Sequence, residues 1–401
     1  MGEKKVIHTV NSRTLIKSNI RNYSMYFMLA IIMLVFGPLS DWMNFSDRNI
    51  TNIFFQYSYV LILAVGMVQC IIILGIDLSV GSVCAFIGAL SAKLYNTGVG
   101  MTVTLAASLA MGLLIGAFQG WFVAYPKIPA FIVTLAGMML FRGLTYIVTE
   151  VNPIMFIDDN YSYFATGTLD GDILHLEKTL FGHYPIALAA AAAVLALYWI
   201  MELSNRKARI ENDFEVSPEP LFYTKLVIVS VLVLAIAERF ASYRGLPIVV
   251  VVLGITVGFF HFIMKSTVLG RYIYAVGGNA RSAKLSGINS EFITFVVFCI
   301  MGLLTGLGAV VSTGYMNSAL PQAGQMFEMD AIAACYIGGV SASGGIGSVV
   351  GVIIGGLVMS AINNGMSLMN LGNHYQYLVK ALILLLAVFY DVYSRRKSGL
   401  G

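Results

Sequence analysis

Apolar runs of roughly twenty residues, many of them edged by Tyr, Phe or Trp and parted by short polar stretches, recur about twelve times along the chain. They lie near 24–39, 54–74, 78–95, 101–124, 129–149, 184–201, 221–237, 246–263, 292–314, 327–341, 346–366 and 376–393. A helix of this length crosses about 30 Å of hydrocarbon with its aromatic ends at the interfaces. A membrane barrel would instead alternate apolar with polar positions. The pattern therefore predicts an all-α polytopic membrane protein with about twelve transmembrane helices. The run at 327–341 is short and carries Asp330, so a broken or re-entrant helix is expected there. After the first run there is no small-residue cleavage signal; it leads into Asp41 and Trp42, which reads as a retained span.

Composition agrees. Of the 401 residues 58% are hydrophobic and 11% charged, against roughly 25% charged in soluble domains, and the mean hydropathy is +0.82. Cys70, Cys84, Cys299 and Cys335 stand singly in apolar segments, without ligand spacing, as buried structural thiols do.

Charge sets the expected orientation. Lys4, Lys5, Arg13, Lys17 and Arg21 precede the first run, Arg395, Arg396 and Lys397 follow the last, and Lys265, Arg271, Arg281 and Lys284 share the segment 264–291. Basic residues collect in cytoplasmic loops, and an even number of crossings puts both termini on one side. The expected organisation is a cytoplasmic segment 1–22, a transmembrane domain 23–393 and a cytoplasmic tail 394–401, with a cytoplasmic loop at 264–291. An external loop is expected at 150–183, where Glu150, Asp158, Asp159, Asp170, Asp172 and Glu177 face the single base Lys178. It is either a solvated loop or a surface for a soluble delivery protein. The mixed charges of 202–220, Arg206, Lys207 and Arg209 with Glu211, Asp213, Glu215 and Glu219, place that loop in the cytoplasm, and with the following span it reads as a peripheral insertion.

Glycines at four-residue spacing mark three runs: Gly112, Gly116 and Gly120; Gly302 and Gly306; Gly347, Gly351 and Gly355. Such faces let helix backbones approach closely. Met111 to Leu114 and Met301 to Leu304 both read MGLL, a hint of the internal repeats common in transporters.

Catalytic constellations are missing. The chain has no Gly-Lys pair and hence no phosphate-binding P-loop, no HExxH, no paired Cys and no G-x-S-x-G, and its five His are scattered. The SGGIG at 343–347 superficially matches an ATPase signature but sits between apolar runs with no nucleotide-binding domain around it. No catalytic residue, metal or cofactor of its own is expected. Intramembrane polar residues are costly, about 2.5 to 3.5 kcal/mol for Asp at mid-bilayer, which singles out Asp77 and Asp330. Asp77 either caps the helix that follows it or faces a pathway, and the same two roles are open to Asp330. Gln56, Gln69, Gln119, Asn363 and Asn364 serve either a hydroxyl-rich neutral solute or interhelical hydrogen bonds.

Between two spans stands GGNARSAKLSGIN, 277–289. Together with GIDLSVGS at 75–82, DAIAACYIGGVSASGGIG at 330–347, NNGMS at 363–367 and DVYSRR at 391–396, it resembles the permease subunit of bacterial ABC importers for monosaccharides, the ribose, xylose and galactose group. Length and the insertion near 202–240 make it most similar to the xylose-type and multiple-sugar permeases. The resemblance implies a homodimer in the inner membrane with a fold like that of the vitamin B12 importer permeases. It also implies an ATPase partner that uses the ATP, an extracytoplasmic sugar-binding protein, and membrane lipid but no nucleic acid around it. Carried over residue by residue, Gly277, Gly278, Asn279, Ala283, Leu285, Ser286, Gly287 and Ile288 match the cytoplasmic loop that couples to the ATPase. A short helix ending near Gly287 is expected to enter a groove of the ATPase, with Leu285 and Ile288 as apolar anchors and Gly287 turning the chain. The family often has Glu or Pro where this chain has Arg281 and Ser282. Gln56, Gln69, Asp77, Gln119, Asp330, Asn363 and Asn364 are the candidate translocation pathway. The rival readings are a branched-chain amino acid ABC permease, an ion-coupled secondary transporter, and a membrane enzyme or scaffold.

Overall fold

The structure, a computed structural model, describes residues 12–179 and 182–398. Each of the twelve apolar runs carries an α-helix. These are α1 (Ser12–Leu39), α2 (Asp47–Ile72), α3 (Val80–Tyr95), α4 (Met101–Ala124), α5 (Ala130–Thr149), α7 (Pro185–Glu211), α8 (Glu219–Tyr243), α9 (Ile248–Ser266), α11 (Ser290–Tyr315), α12 (Phe327–Ile337), α13 (Val349–Leu368) and α14 (Asn373–Ser398). The short α6 (Asn160–Thr166) and the 18-residue α10 (Val268–Leu285) form within the predicted loops 150–183 and 264–291. Among the described residues eight helices are long and apolar enough to span a membrane, and the apolar parts of α1, α3 and α14 are shorter. The 11 residues of α12 rise about 16 Å, half a bilayer, as the Asp330-bearing run predicted. Lys4 and Lys5, and the side chains of Arg13, Lys17, Arg21, Arg395, Arg396 and Lys397, lie outside the described residues.

The chain divides into two compact units, one built around Thr168–Pro247 with Phe45–Thr51, the other from Met25–Asn44, Asn52–Gly167 and the chain from Ile248 onward. In the larger unit α4 and α11 meet along their glycines. A Cβ on Gly112 would stand 2.2 Å from the Gly302 carbonyl oxygen, and one on Gly116 2.4 Å from that of Phe298, so only hydrogen fits at this crossing. The two MGLL segments thus face one another across a single seam. A second seam joins α13 to α12, where a Cβ on Gly355 would meet the Ala334 carbonyl oxygen at 2.2 Å.

Part of the predicted external loop folds into this unit. The Tyr161 ring of α6 is fully buried, its hydroxyl 2.7 Å from Ser91 Oγ and its face stacked on Phe156 at 4.0 Å. Strands β1 (Ile154–Met155) and β2 (Ser318–Ala319) pair antiparallel beside it.

In the smaller unit α7 and α8 form a hairpin. Trp199 Nε1 donates to Ser230 Oγ at 2.9 Å, Lys225 pairs with Glu202 at 2.8 Å, and the Arg206 guanidinium covers the Phe222 ring. The charged residues after 201 do not end α7. They continue it through Glu211, where good helix formers and a Lys207–Glu211 pair at i,i+4 favour further turns. The base of the hairpin is closed by two carboxylates. Asp170, fully buried, accepts from the amides of Ile186 at 2.7 Å and Leu246 at 2.8 Å. Asp172 accepts from the Thr168 amide and hydroxyl and pairs with Arg244 at 2.9 Å. Partial burial pushes the Asp172 carboxyl up, but the Thr168 donors and the Arg244 cation outweigh it and hold it below the usual range.

Candidate functional site

The segment 277–285 is helical, but it breaks at Asn279, whose φ of −161° and ψ of 99° interrupt α10. The Asn279 side chain then accepts from the Ser282 amide at 3.0 Å, three residues on, so Asn279 caps a new short helix. That helix ends as sharply as it starts. The Gly287 amide donates to the Lys284 carbonyl and the Ile288 amide to the Ala283 carbonyl, both at 3.0 Å, with Gly287 at a φ of +85°. This is the Schellman arrangement, which needs a left-handed residue at the first position past the helix.

The two predicted anchors part company here. Leu285 is 85% exposed, whereas Ile288 packs on the apolar core that contains Ala283 and seats the turn. Two lysines converge on the start of α11, Lys284 at 2.7 Å and Lys127 at 3.3 Å from Glu291 Oε1.

Behind this element the backbone is tightly fitted. A Cβ on Gly277 would stand 2.0 Å from the Ile72 carbonyl oxygen at the end of α2, and the same oxygen accepts from the Gly345 amide at 2.9 Å. Gly344 and Gly345 both have positive φ, and the Tyr274 hydroxyl donates to the Gly347 carbonyl at 2.8 Å. SGGIG is therefore the tight turn between α12 and α13, packed on Gly277 and Gly278.

The predicted pathway residues fall into separate places. Asp77 and Gln119 come together: Asp77 Oδ1 accepts from the Ser79 amide at 2.8 Å and hydroxyl at 2.7 Å, and Gln119 Nε2 donates to the same hydroxyl oxygen at 2.8 Å. Asp77 thus shapes an Asx turn just ahead of α3 and is tied to α4. Asp330 is paired with Lys380 of α14 at 2.9 Å, their side chains 10% and 14% exposed, and it stands in the first turn of α12. Gln69 is fully buried in α2; its Nε2 donates to the Val65 carbonyl within its own helix while its Oε1 has no hydrogen-bond partner. Asn363 and Asn364 are buried in α13, with Asn363 Oδ1 likewise unpartnered. Gln56 is half-buried near the start of α2.

Three charged residues that the reading of the chain did not single out belong to this interior: Lys380, Arg142 and Glu328. Arg142, in the middle of α5, donates from Nη1 to the Ala323 carbonyl at 2.6 Å. Glu328, in the first turn of α12, is 9% exposed. Both line a cavity of about 360 Å³ between the start of α3, α5, the start of α12 and α14. The signal was present, since a cation inside an apolar run is costly wherever lipid surrounds it. Among the described residues no group of three metal-ligating side chains converges.

A family profile described as branched-chain amino acid transport system / permease component matches residues 49–206 and 203–388. The xylose transport system permease protein of Haemophilus influenzae is 38% identical over 387 residues, covering 94% of this chain and 98% of the relative. That of Escherichia coli K12 is 35% identical over 389 residues, covering 95% and 94%. The ribose import permease protein of Escherichia coli K12 is 35% identical over 347 residues, 86% of each chain. No solved structure matches.

Proposed function

We propose, for a chain that belongs to the branched-chain amino acid transport system / permease component family, that its cargo is a monosaccharide. The chain is the multi-pass permease subunit of a monosaccharide ABC importer in the inner membrane. The observation that carries this is the end-to-end similarity to xylose permeases, 98% of one relative's length. It favours a sugar over the amino acid named in the family description, because xylose and ribose permeases match this chain at 33–38% identity.

The remaining parts follow from that role. An ATPase partner binds and hydrolyses the ATP, an extracytoplasmic binding protein delivers the sugar, and the permease contributes a path without covalent chemistry or a cofactor of its own. The element at 277–288 is the coupling surface, with the cytoplasmic side set by Lys265, Arg271, Arg281 and Lys284 and both termini on that side. Leu285 is the side chain offered to the ATPase. Asn279, Ala283, Ser286, Gly287 and Ile288 build the short helix that presents it, Gly277 packs it against the end of α2, and Gly278 lies against Gly345. A rigid element on that packing is what can report a nucleotide-driven change to the membrane helices.

A second copy of the chain completes the path, in a fold like that of the vitamin B12 importer permeases. What supports the homodimer is the opening beside Arg142 and Glu328: charged groups there disfavour lipid and call for an aqueous lumen that another protomer encloses. Gln56, Gln69, Asp77, Gln119, Asp330, Asn363 and Asn364 are the polar groups available along the interior.

The test is uptake into proteoliposomes holding the permease, its ATPase and its binding protein. ATP-driven uptake of D-xylose or D-ribose that survives collapse of proton and sodium gradients and is not inhibited by leucine is the expected result. Uptake that follows an ion gradient without ATP, or that leucine displaces, overturns the reading.

A further inference from the structure

We infer that the cavity lined by Arg142 and Glu328 is a solute-contact subsite of the translocation path, Glu328 accepting from and Arg142 donating to the hydroxyls of one sugar. The inference rests on the importer reading above and adds the residues that touch the cargo.

Its size fits a small-molecule site. About 360 Å³ lies within the roughly 300–1,000 Å³ such sites occupy. The two charges are built in. The Glu328 carboxylate reaches the start of α3, where a Cβ on Gly81 would stand 2.5 Å from Glu328 Oε2 and 2.1 Å from the Gly324 carbonyl oxygen. Among the described residues Glu328 has no ion-pair partner within 4.0 Å. Arg142 is oriented by the Ala323 carbonyl through Nη1, while its other donors have no protein acceptor among the described residues.

A carboxylate with spare lone pairs and a guanidinium with spare donors share one space, and charge-assisted hydrogen bonds are the stronger ones. Vicinal hydroxyls, each donor and acceptor at once, satisfy both groups without adding net charge. Ser82 supplies a further hydroxyl, and Met138, Met139 and Tyr377 give apolar surface for the C–H face of a sugar ring. Met139 is 72% exposed, so the cavity is open on one side, the side on which the second copy encloses the lumen.

The experiment uses the full importer in proteoliposomes, with D-xylose and D-ribose as probes. Glu328→Gln and Arg142→Lys are expected to lower uptake at least ten-fold while assembly with the ATPase and basal ATP hydrolysis stay at wild-type level. As a measurement independent of those variants, Met139→Cys gives a thiol that a maleimide labels, and saturating D-xylose or D-ribose is expected to slow that labelling at least five-fold. Unchanged uptake in both charge variants, or no protection of the new thiol by either sugar while wild-type uptake is intact, overturns the subsite and leaves the importer reading standing. Should a charge variant fail to insert, the labelling decides. Protection by leucine but by neither sugar overturns the subsite as drawn, and wild-type liposomes that take up neither sugar with ATP present overturn the importer reading itself.

Discussion

Helices α2 and α13 and the α7–α8 hairpin are written in the same apolar alphabet, yet 83% of the apolar stretch of α2 and of α13 is buried in the protein, against 11% in α7 and 17% in α8. Apolar composition therefore says that a helix crosses a bilayer and nothing about whether protein or lipid surrounds it, since lipid tails are as apolar as Leu. What separates the two regions is the minority of residues. The buried pair carries Gln56, Gln69, Asn363, Asn364 and the glycines Gly351, Gly355 and Gly356. In the hairpin the charges sit toward the ends, Glu202 to Glu211 on α7 and Glu219, Lys225, Glu238 and Arg239 on α8, and its closure depends on carboxylates at its base.

The largest contrast comes from placing a leucine in a glycine seam of the packed core and another on the hairpin. Gly302→Leu drives a side chain into the Gly112 carbonyl, 2.2 Å from the new Cβ, and is expected to cost about 3 kcal/mol or more. Val231→Leu on α8, at a position 59% exposed, is expected to change stability by less than about 0.5 kcal/mol. Thermal unfolding of the two variants in detergent gives the contrast; equal losses would mean the seam is not tight.

A local probe of the hairpin comes next. Asp170→Ala leaves the Ile186 and Leu246 amides without their acceptor, an expected loss of about 2 kcal/mol. Hydrogen exchange is expected to speed at those amides while α2 stays protected. Faster exchange throughout α2 would show that the clasp supports more than its own unit.

The smallest effect is a pH dependence. Because the folded Asp172 carboxyl is depressed, its contribution is complete above the unfolded value near pH 4 and is lost as pH falls through the folded value. After solvent screening it amounts to less than about 1 kcal/mol. The difference in unfolding temperature between wild type and Asp172→Asn is expected to shrink below about pH 4; a difference that grows on acidification would reverse the sign.

Much of this architecture was legible in the chain. The twelve runs, the short α12 announced by Asp330 and the glycine faces at 112–120 and 302–306 follow from bilayer thickness and backbone contact, which act on local sequence. Two things were not legible locally. The loop 264–291 reads as holding a short helix that ends near Gly287, but α10 starts further back, at Val268, because basic and polar residues hide the apolar face, Ile273 and Val276, that it buries. The Arg142–Glu328 cavity joins residues far apart in the chain, each alone indistinguishable from a cap or an interface anchor. The division of the predicted anchors, Leu285 outward and Ile288 inward, needed the Schellman turn at Gly287 to decide it.

Leu285 offers the most direct test of the central claim, that the end of α10 couples this permease to an ATPase. Leu285 is 85% exposed, so Leu285→Asp leaves insertion and folding intact, whereas Gly287→Arg adds about 1 kcal/mol of backbone strain at a left-handed position. Affinity purification of tagged wild type and Leu285→Asp from native membrane, with the ATPase quantified by mass spectrometry, is expected to show at least a ten-fold loss of ATPase in the variant. A variant that retains the ATPase at wild-type level contradicts the account.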